Sequence, residues 1–373
     1  MDKRIFIVIG LLTMSFNSLY QYSWNAFEPL LKTGLNVTLV QVELAFTLFA
    51  IFSTVFQGIG GFFADRRGPR IVGIISGILS ATGFLGTALI HNLYAFYISW
   101  SIGSIGEGIL YGISTNLAVK WFIKRRGLST GIVSLGFGLG ASVANIFIYR
   151  AVDFESVMLI IGITEVILIP AMMFFVEYPG KNLTGTKASR NLRQKRFWIL
   201  YLSFITASLP LMVISSSFGY IGKQLPAVEF TILLSVFPLL SGTSRPLLGL
   251  VSDYIGRPMM VLIIDVFLIL GSLMLIFNVF AAAIVLIGFF GGSMISLYFS
   301  LVGDLFGTRF STSNNGIFYT GKAVSGVIGS SLFAIMFKIN HYYSYIFVLL
   351  FSILGIIFLY TASHDIIIKN KKS

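Results

Sequence analysis

The sequence contains repeated apolar runs of 20 or more residues, separated by short polar segments. A helix of that length can cross the hydrocarbon core of a bilayer, which is about 30 Å thick. Only 11% of the 373 residues are charged, whereas about a quarter are charged in an average soluble domain. We therefore predict an all-α membrane protein and exclude soluble enzymes, nucleic-acid binders and secreted disulfide scaffolds.

Twelve apolar segments can be placed along the chain, and they predict twelve transmembrane helices. They run near 5–31, 42–64, 71–90, 94–119, 128–151, 156–176, 197–221, 229–251, 259–278, 281–303, 315–337 and 344–362. One long polar stretch, 177–196, is rich in Lys, Arg and Gly, as flexible linkers are. It divides the chain into an N-terminal six-helix bundle (1–176), a cytoplasmic linker and a C-terminal six-helix bundle (197–373).

The positions of the 26 Lys and Arg residues predict the orientation of these helices. With a cytoplasmic N-terminus, two cations lie within spans, and the outside loops hold only Lys32, Arg150, Lys223 and Lys338. Cytoplasmic loops carry the excess of Lys and Arg in membrane proteins. Both termini are therefore predicted to be cytoplasmic, in a multi-pass protein of the cell membrane, with a prokaryotic plasma membrane expected. The net charge of +12 therefore reflects the cations that orient the helices in the membrane, and it does not indicate nucleic-acid binding.

An internal repeat follows the second and the eighth apolar segments. Both copies read Gly-x-x-x-Asp-x-x-Gly, and their aspartates lie 188 positions apart. The motif residues and the flanking cations are Gly61, Asp65, Arg66, Gly68 and Arg70 in the first copy, and Gly249, Asp253, Gly256 and Arg257 in the second. Two copies at matching places in two halves indicate duplication.

Each copy is predicted to form a tight turn between two helices. The first glycine permits close helix contact, the aspartate caps a helix or pairs at the membrane surface, and the last glycine allows the reversal. The motif resembles the signature loop of the major facilitator superfamily. That resemblance implies two bundles, a substrate held between them near mid-membrane, alternating access by rocking, and a gating role for both loops. The alternative is that they are only short, well-capped turns.

Five ionisable residues fall within the predicted spans, where an unpaired charge is costly. They are Arg245, Lys322, Glu107, Glu165 and Asp265. Arg245 precedes Asp253 by eight residues, about 12 Å along a helix, and Lys322 is expected at nearly the same depth. Like charges at one depth repel. Either two buried acids pair with these cations permanently, or an anionic substrate arrives and leaves; we favour the substrate.

Seven stretches narrow the resemblance to the oxalate/formate antiporter family. They are Gln41–Leu48, Gly68–Ile71, Tyr111–Asn116, Trp121–Phe122, Lys124–Gly131, Arg245–Arg257 and Asn315–Ala323. In that family the matching arginine and lysine bind the carboxylates of a small organic anion, which implies this role for Arg245 and Lys322. The resemblance also implies a cavity lined by Gln21, Tyr22, Trp24, Gln57 and Tyr111. The stretch 291–295 lacks the aromatic residues of the oxalate transporter type, so a different anion is possible.

Glu107 shares a helix face with Tyr111, four residues further on. It is interpreted as a possible coupling residue that carries a proton, as a permanent partner of a cavity cation, or as a neutral hydrogen-bonded acid. For Glu165 and Asp265 we favour structural hydrogen bonding over coupling.

These observations predict a secondary active transporter of small carboxylates, working as an anion antiporter or a proton-coupled carrier. The alternatives are a transporter of another small organic solute or drug, and a membrane anion sensor without transport. The expected partners are a small organic anion and the lipid bilayer, with protons as the coupling ion if the carrier is proton-coupled. We expect a monomer without cofactor, metal or nucleic acid. No cluster of nucleophile, base and acid suggests an enzyme.

Overall fold

The computed structural model describes residues 2–180, 183–222 and 224–370, and these are almost entirely helical. Lys181 of the predicted linker and Lys223 of the predicted outside loop lie outside these residues. The α-helices, numbered along the chain, are α1 (Ile5–Gln21), α2 (Trp24–Gly34), α3 (Leu39–Arg67), α4 (Pro69–Leu89), α5 (Leu93–Trp121), α6 (Arg126–Ile148), α7 (Phe154–Phe174), α8 (Ala188–Asn191), α9 (Lys195–Gly222), α10 (Ala227–Ile255), α11 (Arg257–Ile276), α12 (Phe280–Gly292), α13 (Met294–Phe306), α14 (Ser311–Val327), α15 (Phe333–Ile339) and α16 (His341–Asn370).

The predicted all-helical membrane fold is confirmed. Among the described residues, nine helices are long and apolar enough to cross a membrane, or ten if the bent pair α1–α2 forms one span. Each of the twelve predicted segments overlaps a helix or a broken helix. Helices α5 and α10 have 29 residues each but are not among the nine, and both carry polar groups inside the apolar run.

Three predicted spans are interrupted in ways that the hydropathy pattern does not indicate. Helices α1 and α2 are separated at Tyr22–Ser23, and α12 and α13 at Ser293. Between α14 and α15 the chain makes one π-helical turn, Ile328–Leu332. Such breaks release backbone carbonyls from the helical ladder, and π turns are frequent at functional sites.

Contacts divide the chain into two compact units. Unit 1 comprises Met1–Phe122, Ile132–Gly185 and Gly307–Tyr319. Unit 2 comprises Ile123–Gly131, Thr186–Phe306 and Thr320–Ser373. Each unit thus takes most of one half of the sequence together with a short segment from the other half. We call Ile123–Gly131 and Gly307–Tyr319 the exchanged segments. The predicted boundaries at 176 and 197 do not anticipate this exchange.

The stretch predicted as a flexible linker makes regular contacts within both units. In unit 1, Gly185 forms an isolated antiparallel bridge with Gly307. In unit 2, the backbone N–H of Thr186 donates to the carbonyl of Phe306 at 2.9 Å. The short helix α8 follows. These backbone hydrogen bonds tie the described part of the stretch to the residues around the end of α13.

The core of unit 1 is an aromatic cluster around Trp100 of α5. The ring centroid of Trp100 lies 4.6 Å from that of Tyr20, 5.5 Å from that of Phe84 and 5.6 Å from that of Trp24. These rings come from α1, α2, α4 and α5, and all are buried. Aromatic rings bury large apolar areas, so this cluster fixes how the four helices pack.

Three glycines bring α5 unusually close to its neighbours. A Cβ atom at Gly106 would overlap the backbone of Ser76 and Ser80 on α4, and one at Gly108 would overlap the backbone of Ser53 on α3. A Cβ at Gly103 would collide with the hydroxyl of Tyr20. Small residues at helix contacts allow such backbone approach in membranes. Glu107 is therefore held between two backbone-to-backbone contacts.

We predict that Gly106→Ala destabilises the protein, because its methyl group has no space and the colliding atoms are backbone. Overpacking of this kind costs about 1–3 kcal/mol. The midpoint of thermal denaturation in detergent should fall. Gly326→Ala is the matched control, since nothing lies within 4 Å of a Cβ at that helical position. An equal midpoint for both variants would contradict the packing description.

Candidate functional site

The first motif copy ends α3, and its aspartate is a buried helix cap in unit 1. Asp65 Oδ2 accepts hydrogen bonds from the backbone N–H of Ser313 at 2.8 Å and from its hydroxyl at 2.6 Å. Ser313 lies in the first turn of α14. An anion is favourable at a helix N-terminus, where backbone N–H groups are unpaired and the dipole is positive. The predicted capping role of Asp65 therefore has a geometric basis.

Lys120, at the end of α5, completes this cluster. Its Nζ donates to Asp65 Oδ1 at 2.8 Å and to the carbonyl of Arg309 at 2.9 Å, and lies 4.3 Å from the ring centroid of Tyr178. Both side chains of the ion pair are buried. Burial, and then the Asp65 carboxylate, raise the pKa of Tyr178 well above its usual range, so its hydroxyl stays protonated beside Thr312. A cavity of about 310 Å³ adjoins these groups.

The second motif copy ends α10 and repeats the arrangement in unit 2. Asp253 accepts hydrogen bonds from the backbone N–H groups of Gly127 and Leu128, both at 2.9 Å, in the first turn of α6. Arg257 donates to Asp253 Oδ1 at 2.5 Å. Each motif aspartate therefore caps a helix that its own unit receives, at that end, from the other half of the sequence.

An ion-pair cluster surrounds the second cap. Asp304, at the end of α13, pairs with Arg126 and, at 3.1 Å, with Arg257. Arg257 thus lies between Asp253 and Asp304. Two acids and two cations alternate here, which compensates charges that are largely removed from water.

The glycines of both copies do what the repeat predicts. Gly68 and Gly256 both have φ of +88°, a conformation that residues with a side chain rarely adopt. A Cβ at Gly61 would lie 2.6 Å from the carbonyl oxygen of Thr312, and one at Gly249 would overlap the carbonyl of Gly127. The flanking cations of the first copy lie over aromatic rings. The guanidinium carbon of Arg66 is 3.9 Å from the ring centroid of Phe62, and that of Arg70 is 5.4 Å from the ring centroid of Phe174.

The sequence analysis missed several residues of the two clusters. They are Lys120, Arg126, Asp304 and Ser313. The sequence does carry one signal for these clusters. An ionisable residue stands at the end of α5 and at the end of α13, and the helix that follows each of them begins with basic or polar residues. Their partners lie between 47 and 248 residues away along the chain, so spacing alone did not connect them.

Three of the predicted cavity residues come together in unit 1. The ring of Phe137 lies 5.0 Å from Tyr22 and 5.5 Å from Tyr111, and Tyr111 lies 4.6 Å from Tyr319. Gln57 is fully buried next to Gly112. Neither its amide oxygen nor its amide nitrogen has a hydrogen-bond partner among the residues that the structure describes. The side chain of Gln57 is therefore available to a polar ligand.

The other two predicted cavity residues differ from this group. Gln21 is half-buried at the end of α1. Trp24 is 3% exposed and belongs to the aromatic cluster, with ring centroids 5.4 Å from Phe46 and 5.6 Å from Trp100. Its observed contacts are those of a core residue.

The two intramembrane cations both belong to unit 2. Arg245 is 4% exposed on α10, and its Nε donates to the carbonyl of Gly292 at 3.2 Å. That carbonyl lies where α12 breaks, at a helix C-terminus, which favours a cation. Lys322 is half-buried on α14. The aromatic-poor stretch 291–295 thus contains the break whose freed carbonyl holds the arginine.

The three buried acids differ in their contacts. Glu107 accepts a hydrogen bond from the hydroxyl of Ser53 at 2.5 Å, and its backbone carbonyl accepts one from Asn17. Glu165 accepts one from Ser80 at 2.6 Å. Neither carboxyl oxygen of Asp265 has a hydrogen-bond partner among the described residues. The structural hydrogen bond expected for Glu165 is present, whereas none is found there for Asp265.

Comparison with known proteins decides the family. The model of the Major Facilitator Superfamily matches residues 5–225 and 199–371. The chain belongs to this superfamily. The oxalate:formate antiporter of Oxalobacter formigenes is 33% identical over 355 residues, which cover 89% of this chain and 84% of that protein. The predicted resemblance to that antiporter is confirmed.

Other relatives agree with the family and the fold. An uncharacterized 38 kDa protein of Thermoproteus tenax is 39% identical over 90% of this chain and 89% of its own length. Among solved structures, the superfamily transporter FucP matches with a TM-score of 0.77 over 96% of this chain and 98% of its own, at 14% identity. The human organic anion transporter MFSD10 matches with a TM-score of 0.71, also at 14% identity. The two structures show the fold alone.

We predict that Asp65→Asn strongly destabilises unit 1, because it leaves the buried ammonium of Lys120 without its carboxylate. Breaking a buried ion pair by removing one partner costs about 3–5 kcal/mol. Thermal denaturation of Asp65→Asn, Lys120→Met and the double variant should show that the double variant is less destabilised than the sum of the singles. Asp2→Asn, at an exposed acid, is the control. Additive effects would contradict the pair.

Proposed function

We propose that this membrane transporter carries small carboxylates. The observation that supports this most strongly is the burial of Arg245 inside a unit that also holds Lys322 within a predicted span. Ionisable groups inside membranes are costly and mark substrate and ion pathways. A small anion would compensate the positive charge when bound and would be released with a change of conformation. Anion exchange and proton-coupled uptake are both compatible with this site.

The chemistry of the two cations suits carboxylates. A guanidinium offers a planar pair of donors that matches the two carboxylate oxygens, and an ammonium acts as a movable point charge. The Gly292 carbonyl accepts a hydrogen bond from Nε of Arg245, which orients the guanidinium plane. The relative that is 33% identical is an oxalate:formate antiporter, which supports a small organic anion as substrate.

We propose that a second group of predicted site residues, which lies in unit 1, also serves in substrate binding. The buried amide of Gln57 has both a donor and an acceptor to offer, and the rings of Tyr22 and Tyr111 lie around Phe137. Aromatic walls with a few polar groups are typical of small-molecule sites. Gln57 lies 188 positions before Arg245, which is the offset of the two motif copies.

The two aspartate caps are proposed as gating contacts. Each consists of hydrogen bonds to the first turn of a helix plus an ion pair, and each unit gains its capped segment from the other half of the chain. Such contacts can break together when the exchanged segment leaves the cap. Transport requires this release, because the substrate pathway must open alternately to the two sides.

We predict that Arg245→Lys and Arg245→Gln abolish uptake of labelled oxalate or formate into proteoliposomes, as does Lys322→Gln. The lysine variant retains the charge but loses the planar pair of donors, so its failure distinguishes geometry from charge. Arg150→Gln, at an exposed cation, should transport normally. Normal carboxylate uptake by folded Arg245→Gln and Lys322→Gln proteins would contradict the site.

Substitution of Glu107 distinguishes proton-coupled uptake from anion exchange. If it carries a proton, Glu107→Gln should remove the stimulation of uptake by an inward proton gradient while preserving exchange of internal for external carboxylate. The amide keeps an acceptor for the hydroxyl of Ser53, so the fold should be retained. Uptake that responds to the gradient equally in both proteins would show that Glu107 carries no coupling proton.

A further inference from the structure

Glu165 is a buried acid outside the substrate site proposed above. Its carboxyl group lies in the middle of α7, fully removed from solvent. Oε1 accepts a hydrogen bond from Ser80, and Oε2 has no hydrogen-bond partner within the described ranges. No Lys, Arg or His of the described residues forms an ion pair with it. An ionised carboxylate in this place would be a buried charge with one hydrogen bond, which is a costly form.

A second buried acid lies close by on α5. Glu107 is flanked by Gly106, which contacts the backbone of Ser80, and by Gly108, which contacts the backbone of Ser53. Ser80 is also the hydrogen-bond donor to Glu165, so both acids adjoin the same contact between α4 and α5. Two carboxylates in one apolar unit repel when both are ionised. The arrangement therefore favours states in which at least one of the two acids holds a proton.

Ser80 connects Glu165 to the end of α1. Its hydroxyl donates to Glu165, and its carbonyl accepts a hydrogen bond from the hydroxyl of Tyr20 at 2.5 Å. The Tyr20 hydroxyl lies in a notch made by two glycines, Gly83 and Gly103, where any Cβ would collide with it. A side chain at either glycine would therefore displace the Tyr20 hydroxyl.

The surroundings of Glu165 contain few other titratable groups. Of the helices packed against α7, α1 presents Tyr20, α4 presents Ser80, and α5, beyond Ser80, presents Glu107. The charged residues of α2 and of the start of α4 form no ion pair with Glu165 in the described structure; these are Glu28, Lys32 and Arg70. A change in its charge is therefore felt mainly by Tyr20, Ser80 and Glu107.

We propose that Glu165 is a proton-binding residue, that at least one of Glu165 and Glu107 holds a proton, and that Glu165 acts through Ser80 on Tyr20 and the end of α1. The proton is bound at Oε2, because Oε1 accepts from Ser80; its release to solvent breaks the O–H bond and leaves a carboxylate. The segment so controlled carries Gln21 and Tyr22. This part of the inference rests on the proposed transport function, whereas proton binding itself does not.

Infrared spectroscopy of the purified protein in lipid tests the proton directly. The carbonyl stretch of a protonated, buried carboxyl should be present at neutral pH, and one component should be lost in Glu165→Gln. Glu155→Gln, on the same helix and partly exposed, is the matched control and should leave the component unchanged. A component that persists in Glu165→Gln would overturn the proposal.

Two further variants test the neighbours. Ser80→Ala removes the donor to Oε1 and should move the component to higher frequency. Glu107→Gln removes a repelling charge and should move the titration midpoint of the component to lower pH. If neither variant changes the infrared component, Glu165 is not coupled to Ser80 or Glu107. This result decides the matter even if Glu165→Gln fails to fold.

Transport distinguishes this proposal from the proposed function. Glu165→Gln should change the pH profile of carboxylate uptake while leaving the rate at its optimum within a few-fold of the wild-type rate. An unchanged profile would overturn the control of α1. If the wild-type protein carries no carboxylate, the proposed function fails, and the infrared component still decides whether Glu165 binds a proton.

Discussion

The structure depends on one constraint: a charge removed from water has to be compensated by a nearby opposite charge or by backbone dipoles. Asp65 and Asp253 meet it in the same way, each with an ion pair and the N–H groups of a helix start. Arg245 meets part of it with the carbonyl at the C-terminal end of α12. Helix ends therefore act as partial charges at these three sites.

Close backbone packing is what brings these helix ends and polar groups together. Gly61 and Gly249 allow the motif helices to contact the capped segments, and Gly106 and Gly108 bring α5 against α4 and α3. The same glycines define where buried acids can lie, since Glu107 stands between two of them. The same glycine contacts therefore determine both the packing of the helices and the positions of the charged groups. A methyl group at a contact glycine would move charged partners as well as apolar ones.

Much of the fold follows from the sequence, because apolar length and repeated glycines are local signals. The helical membrane fold, the family and the left-handed turns at Gly68 and Gly256 were all predictable. The partners of the motif aspartates were not, because Ser313 and Gly127 reach them from the other half of the chain. The break at Ser293 was also hidden, since the run around it stays apolar. The position of Trp24 in the aromatic core was not predicted either, because its ring neighbours come from helices far apart in the sequence.

The proposed function depends on recognition of carboxylates by Arg245 and Lys322 of unit 2. Counterflow in proteoliposomes tests it most directly, with labelled oxalate outside and unlabelled oxalate, formate or the uncharged isostere oxamide inside. We expect an internal carboxylate to accelerate entry of the label, whereas oxamide, which has the same shape without charge, should have no effect. Equal acceleration by oxamide, or no acceleration by any carboxylate across a panel of mono- and dicarboxylates, would contradict it.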